Sequence, residues 1–421
     1  MKKKILIINR WNDEFSDYRK HLPENQFEIY MLILIGNEKS IDSNSPNDYR
    51  ISKDLNYNSC KELMIDLILK NSSTENKLVF DELIAFSEYD LIIAAQLRDF
   101  FLIPGDNLDK VLLWRDKNLM KERLSRFSIR VPKWKIPNDL NDIIEFLISC
   151  KNGIVLKPLR EAASIGVFIC FTELDVQNIY PTIQSQLFEY EVEEYISAPI
   201  GHIDGFVQDG ELKFAKVSQY IGTCLSFQKG HPLASYTLEN TKKSEKLIDF
   251  AKLCLKHLNA SNNVFHLEIF IADEPIFLEV GMRIGGGEIP WIMRDVFKIN
   301  LFDIWMQLII KTKIKLAMEK LEDTVAGFLM IPYPVNKKLL EIQFDQERIQ
   351  EIYSSKIMSV ENEQLFLDEN ENMLASFRYR SNNLESLKEA IKKTIKNFRP
   401  IFELCESINE KSPSNINSTV L

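Results

Sequence analysis

The stretch HLEIFIADEPIFLEVGMRIGGG, residues 266–287, sets Glu268 and Glu279 in apolar, strand-like sequence, followed by Arg283 and three glycines. A hairpin turn centred on Ala272-Asp273-Glu274-Pro275 puts Glu268 directly across from Glu279. Side chains alternate faces along a strand, so His266, Glu268, Glu279, Gly281 and Arg283 share one face. Like charges directly opposite each other destabilise a sheet, and burying both unpaired is costly. A divalent cation between them removes that cost. Carboxylate oxygens are hard ligands that suit Mg2+, which commonly takes one or two carboxylates together with substrate phosphates. Arg283 has the charge and reach for a phosphoryl oxygen. The alternative is a solvent-facing hairpin with ordinary surface glutamates. Against it, Phe265, Leu267, Ile269, Ile276, Leu278 and Val280 are expected to fill the opposite face, so the sheet is buried on at least one side.

A second constellation lies upstream. Lys157 in GIVLKPL is flanked by Val155, Leu156, Pro158 and Leu159, an awkward place for an ammonium unless it meets an anion. The loop that follows, EAASIGV (161–167), is small and polar. Such backbone can close its N–H groups on phosphates, and it can equally be a surface loop. GMRIGGGEIP leads into a helix, which makes either an anion site or a tight turn, and the two are compatible.

These residues need elements to hold them. Apolar strands at 4–8, 27–35 and 90–95 alternate with a helix at 60–70, which predicts a small parallel α/β layer over 1–110. No GxGxxG follows the first strand, so a dinucleotide site there is not supported. Helices are expected at 116–129 and 139–149, the second capped by Asn138 or Asp139. Strands follow at 153–159 and 166–171, then antiparallel β-structure at 191–197, 201–220 and 264–283, with Asp209-Gly210 as a hairpin turn. IPWIMRDVF and NLFDIWMQLIIK read as helices. Beyond 320, TVAGFLMIPYP reads as a strand and 383–398 as an amphipathic helix.

Composition bounds the class. The chain has 421 residues, 45% hydrophobic and 27% charged. That suits a globular protein of two to four domains at about 100–200 residues each. A net charge of −9 without a basic stripe argues against a nucleic-acid surface. Six scattered cysteines, none in a CxxC pair, fit a reducing cytoplasm. The first apolar run ends at Ile8, too short for a signal-peptide core, and no run reaches the ~18 apolar residues of a membrane helix.

With these residues in hand, HLEIF…IFLEVGMRIGGG resembles the metal-binding signature of the ATP-grasp ligases, in particular the branch of bacterial L-amino-acid ligases and antibiotic-pathway enzymes. The motif series covers about residues 1–320. The resemblance implies an α/β (α+β) ATP-grasp fold. Its parts would be an N-terminal parallel α/β domain at 1–110, the nucleotide- and metal-binding domain at 111–320, a small C-terminal α+β module at 321–405 and a polar tail at 406–421. Lys117 in WRDKNLMKERL matches the first nucleotide-contacting lysine and Lys157 the second. Ser164, Ile165 and Gly166 fall in the phosphate loop. Glu193, Glu194, Tyr195 and Ile196 match the adenine hinge, and His202 falls where the family has a ribose contact. His202 reads equally well as an ordinary strand-end histidine. Lys229 and His231 are read as surface residues, and RDKNLMKERLSR as a solvated helix face.

The resemblance implies ATP and Mg2+, with Mn2+ as the alternative ion, held by Glu268 and Glu279. Arg283 and Lys157 act on the transferring phosphoryl group. The implied activity is ADP-forming ligation of an amino-acid carboxylate to an amine through an acyl phosphate, giving a dipeptide or amide. The alternatives are loading of an amino acid onto a carrier-protein thiol, and nucleotide binding without catalysis. The implied partners are ATP, small carboxylate and amine substrates and, for the second reading, the carrier. Neither nucleic acid nor membrane is a partner; a homodimer is a family habit. Many ATP-grasp enzymes carry Asn two residues after the second glutamate. Gly281 stands there in this chain, which leaves the number of Mg2+ ions open.

Overall fold

The computed structural model describes residues 2–11, 14–314, 324–334, 337–359 and 373–404. The chain divides into two compact units, one of Met1–Tyr220 with Thr237–Asp323 and one of Ile221–Tyr236 with Thr324–Leu421.

The first unit opens on strands β1 (Lys3–Asn9), β2 (Phe27–Leu34), β3 (Asp48–Ser52) and β4 (Glu82–Ala85), in the sheet order β3-β2-β1-β4. Every pairing in it is parallel, as the strand–helix alternation predicts. Parallel sheets are covered by helices and so read as continuous apolar runs. Leu6, Ile8 and Leu32 accordingly pack with Cys60, Met64 and Leu67 of the helix Tyr57–Asn71.

One expectation is corrected here. Residues 90–95 do not form a strand; they begin the helix Leu91–Phe101, and the strand lies just before it at β4. A six-residue apolar run has no period that separates a buried strand from a buried helix. In the fold, Ala94, Ala95 and Leu97 form the buried face of that helix, and Leu102 ends it in the left-handed conformation at φ 56°.

A second sheet combines β5 (Trp134–Lys135), β6 (Ile154–Pro158), β7 (Phe168–Cys170) and β8 (Tyr190–Glu194) in the antiparallel order β5-β8-β6-β7. The helices Leu140–Ser149 and Glu173–Ile183 bury Ile143, Leu147, Val176 and Ile183 against Ile154, Leu156 and Val192. Asp139 caps the first of them by accepting from the Asp142 N–H.

Next along the chain come β9 (Ile200–Gln208), β10 (Glu211–Ile221), β11 (Leu233–Thr237), β12 (Asn263–Phe270) and β13 (Ile276–Gly281). Apart from β11, they lie in the order β13-β12-β9-β10. Asp209 and Gly210 turn the β9–β10 hairpin at φ 52° and 79°, the left-handed pair that a tight turn of this hand needs. The core face of these strands, with Ile203, Val207, Phe265, Leu267 and Ile269, packs against Met120 and Leu124 and against Leu247, Ala251 and Cys254. Those two groups come from the helices Lys117–Ser125 and Lys242–His257. The opposite face of β9, β12 and β13 carries the polar residues.

The second unit pairs β11 with β14 (Val325–Pro332). It continues with β15 (Lys337–Gln343), β16 (Ile352–Ile357), β17 (Met373–Ser381) and β18 (Arg399–Leu404), plus the helix Leu384–Asn397. β14, β17 and β16 are antiparallel neighbours, and β15 pairs with β18. The strand and helix anticipated beyond residue 320 are both present. The polar tail at 406–421 lies outside the described residues. The boundaries at 110 and 320 stand as our proposed domain limits; residues Ile221–Tyr236 cluster with the second unit. Among the described residues, no helix is long and apolar enough to cross a membrane.

Candidate active site

All the residues of this site belong to the first unit. In the β12–β13 hairpin Glu268 pairs directly with Glu279, and His266 with Gly281, as the sequence predicts. On the other side of β12, Glu268 faces His202 and His266 faces Asp204 across β9. Five polar positions thus share one face of three neighbouring strands. The opposite face differs from expectation. A β-bulge follows Glu268, so Ile269 pairs with Phe277 rather than with Leu278. The bulge moves Phe277 into the core beside Val280 and leaves Leu278 and Ile276 out of that cluster.

The two acids relieve their mutual repulsion with side-chain cations. Glu279 Oε2 lies 3.1 Å from Lys117 Nζ. Glu268 Oε1 lies 3.4 Å from His266 Nε2. Burial pushes the Glu279 carboxyl up, but Lys117 and Lys157 override it and hold the group below the usual carboxylate range. Burial would lower His266, yet Asp204 and Glu268 push it up to about 10, so it sits between them as an imidazolium. The like-charge argument from sequence therefore does not by itself demand a metal. The donor set still fits one: each glutamate uses one oxygen on its cation, and the other is left for a hard ion.

The lysines are held by the strands and helix around them. Lys117 opens its helix behind the Asp116 cap and also donates to the Glu161 carbonyl at 2.7 Å, the first residue of the small polar loop. Lys157 on β6 meets Glu193 of β8 at 2.7 Å and Glu191 at 3.7 Å. Lys121, one helical turn after Lys117, is fully buried and bonds both Glu191 and Glu193. Two ammonium groups and two carboxylates thus form a closed, charge-balanced cluster. Both Glu193 oxygens are committed to lysines, so Glu193 is not poised toward an adenine amino group. Burial raises Glu193, but Lys121 and Lys157 hold it low, while the two glutamates keep Lys157 firmly protonated against its own burial. The helix RDKNLMKERLSR is therefore not a solvated basic face: Arg115, Lys117 and Lys121 are all buried.

On β9, His202 Nδ1 lies 2.5 Å from Asp204 Oδ2, and Asp204 Oδ1 lies 2.9 Å from His266 Nδ1. Asp204, wholly buried, is held far below the usual range by the two histidines, which outweigh its burial. These three side chains could also hold a metal ion among themselves. The glycine-rich segment lies against the pair: a Cβ on Gly285 would stand 2.6 Å from Asp204 Oδ1 and 3.0 Å from His266 Nδ1. Gly285→Ala is expected to lose about 1–3 kcal/mol by overpacking. Gly286→Ala, with nothing within 4 Å of the new methyl, is the matched control. Urea unfolding of the two variants checks this, and equal stability would refute it.

Arg283, just past β13, forms an ion pair with Glu88 from the loop after β4, and Glu88 also pairs with Arg115. Burial lowers the Arg283 guanidinium to about 10, still a cation at neutral pH. The other sequence candidates are spread more widely. In the 161–167 loop, Ala163, Ser164 and Gly166 have φ of 53°, 59° and 69°, and Ile165 is exposed. Two non-glycine residues thus take left-handed backbone where glycine is easier. Glu194 faces away, accepting from Arg130 at 2.9 Å and from the Lys133 N–H. The Tyr195 N–H donates to the Gly153 carbonyl at 3.0 Å, and Ile196 is half-buried. Lys229 and His231 are exposed.

Sequence reasoning missed Lys121, Glu191, Asp204, Glu88 and Arg115. Three of these had a signal: Lys121 lies four residues after Lys117, and Glu191 and Asp204 lie two residues from Glu193 and His202 on the same strand faces. Glu88 and Arg115 had none, since only the tertiary fold brings them to Arg283.

No protein-family model matches the chain. It is 24% identical over 262 residues to an L-arginine-specific L-amino acid ligase of Bacillus subtilis, covering 60% of this chain and 63% of that one. It is 22% identical over 193 residues to dapdiamide A synthase of Enterobacter agglomerans, covering 43% and 45%. The matched region thus spans less than two thirds of either relative. Among solved structures, L-amino acid ligase from Bacillus licheniformis superposes with a TM-score of 0.73 at 14% identity, over 96% of this chain and 99% of that one. Phosphoribosylglycinamide synthetase from Anaerococcus prevotii gives a TM-score of 0.65 at 16% identity, over 95% and 100%.

Proposed function

We propose that this chain, whose fold is the ATP-grasp fold, is a cytoplasmic, ADP-forming ligase that joins an amino-acid carboxylate to an amine. The observation that carries the reading is the Lys117–Glu279 contact at 3.1 Å. It ties a lysine matched to the nucleotide site to a glutamate matched to the metal site, on a face that also holds Glu268. The two curated relatives are described as an amino acid ligase and a dapdiamide synthase, which supports the same class.

In this reading ATP lies along Lys117 and Lys157, whose ammonium groups keep their carboxylate partners and each extend a remaining N–H donor to phosphate oxygens. Glu268 and Glu279 would hold Mg2+, or Mn2+ in its place; bound there, the ion would supply neutralising charge to the phosphate oxygens. A substrate carboxylate oxygen attacks the γ-phosphorus, the bond from that phosphorus to the bridging oxygen breaks, and ADP leaves an acyl phosphate. Arg283 stabilises the charge on the transferring group. The amine nitrogen then attacks the acyl carbon, the carbon–oxygen bond to phosphate breaks, and the nitrogen gives up a proton. No nucleophilic side chain takes part, so the protein contributes positioning and electrostatics.

The test is ADP release with ATP, Mg2+ and pooled amino acids, with product masses recorded. Turnover without a carrier supports the amine ligase. Turnover only with a phosphopantetheinyl carrier replaces it by thiol loading, and ATP binding without turnover under any condition replaces it by a non-catalytic role.

A further inference from the structure

His202, Asp204 and His266 take no part in the steps written above, yet their donor atoms converge on one point of the sheet face. His202 and Asp204 stand two residues apart on β9, so their side chains share a face. The pairing of β9 with β12 sets His266 beside Asp204. All three are buried. His202 Nδ1 lies 2.5 Å from one oxygen of Asp204, and His266 Nδ1 lies 2.9 Å from the other. One ligand atom from each residue lies within 4.8 Å of the other two.

A hydrogen-bonded His–Asp–His triad would account for those contacts alone. Two further features point to an ion. The first is the outer contact of His266, whose Nε2 lies 3.4 Å from Glu268 Oε1. A metal-ligating histidine characteristically donates its second ring N–H to a carboxylate, which fixes the tautomer and makes the ligating nitrogen more basic. The second is Gly285, where a Cβ would stand 2.6 Å from Asp204 Oδ1 and 3.0 Å from His266 Nδ1. A methyl there would crowd an ion bound to both atoms, and glycine spares it.

We propose that His202, Asp204 and His266 form a Zn2+ site distinct from the Glu268–Glu279 pair. Imidazole nitrogen suits Zn2+ whereas carboxylate and water suit Mg2+, so the two places on this face sort the ions by ligand type. Two imidazoles and one carboxylate supply three ligands and leave the fourth tetrahedral position to water. Zn2+ takes the place of the protons held between Asp204 and the two Nδ1 atoms, and those protons pass to solvent as it enters. A tetrahedral ion spaces its ligand atoms about 3.3 Å apart, so each contact opens by less than about 1 Å. Nothing in this inference depends on the ligase reading.

The experiment titrates the full chain, freed of metal with a chelator, with Co2+ in excess Mg2+, and follows the visible absorption of the bound ion. Wild type is expected to take one Co2+, which Zn2+ displaces and Mg2+ does not. Glu279→Gln should bind Co2+ as wild type does. His202→Gln should bind it at least about a hundredfold more weakly, a larger loss than that of an outer-shell partner. Absence of Co2+ binding by wild type overturns the proposal, and so does undiminished binding by a folded His202→Gln. Should that variant fold poorly, Cu2+ on wild type decides the matter by electron spin echo modulation. His202 and His266, with ring centroids 5.4 Å apart, should both appear as coordinated imidazoles. One imidazole or none would overturn the assignment.

Discussion

Glu279→Gln is expected to lower ADP release at least about a thousandfold, which corresponds to roughly 4 kcal/mol of lost transition-state stabilisation. The fold should survive. Glutamine keeps an oxygen for Lys117 Nζ, and the backbone pairing with Glu268 is unaffected. The substitution removes the charge that would attract a divalent ion and leaves Lys117 without its counter-charge. Mn2+ affinity read by electron paramagnetic resonance should fall in parallel, which separates loss of the ion from loss of a structural contact. A variant with wild-type turnover sinks the metal assignment. One that has lost turnover but binds Mn2+ normally would move Glu279 from the ion to the lysine.

The second large effect concerns stability. Lys121 is fully buried and holds Glu191 and Glu193, which Lys157 shares. Lys121→Met leaves two buried carboxylates with one ammonium, and breaking a buried pair this way costs about 3–5 kcal/mol. Urea unfolding at neutral pH should show it as a lowered midpoint. Adding Glu191→Gln rebalances the cluster at one charge of each sign and should recover most of the loss. Failure of that double variant to recover would mean that Lys121 acts through packing rather than charge. The pH dependence follows from Glu193, held below its ordinary 4.5 by the two lysines against its burial. The unfolded chain takes up this proton first as pH falls. The stability from Glu193 is thus complete above about 4.5 and lost as acidification approaches its depressed folded value.

The strand pairing of Glu268 with Glu279 was legible because a hairpin turn and a period of two determine which residues meet. Lys157 was legible because an ammonium in an apolar strand is anomalous. The helix at Leu91–Phe101 was not, because a short uninterrupted apolar run satisfies both helix and strand. Nor were the carboxylate partners of the lysines. A sequence shows that Lys117 and Glu279 carry opposite charge, but 162 positions separate them, and only the packing of one helix over the sheet sets their distance. The same holds for Glu88, where β4 and β13 supply residues that no spacing rule connects. The expectation that repulsion between the paired acids requires a metal overlooked His266, two positions before Glu268 on the same face, already able to carry the balancing charge.

The bulge after Glu268 has an evolutionary consequence. Between the paired acids and the turn, the hairpin changes its counting by one residue, so the length of the tip no longer dictates which face the acids occupy. Without it, a turn longer or shorter by one residue would rotate Glu279 into the hydrophobic core. With it, descendants can insert or delete at the tip and absorb the change in parity by gaining or losing a single unpaired residue. The outer end of the hairpin is thereby free to diverge in sequence and length, while the chemistry three residues away stays in register.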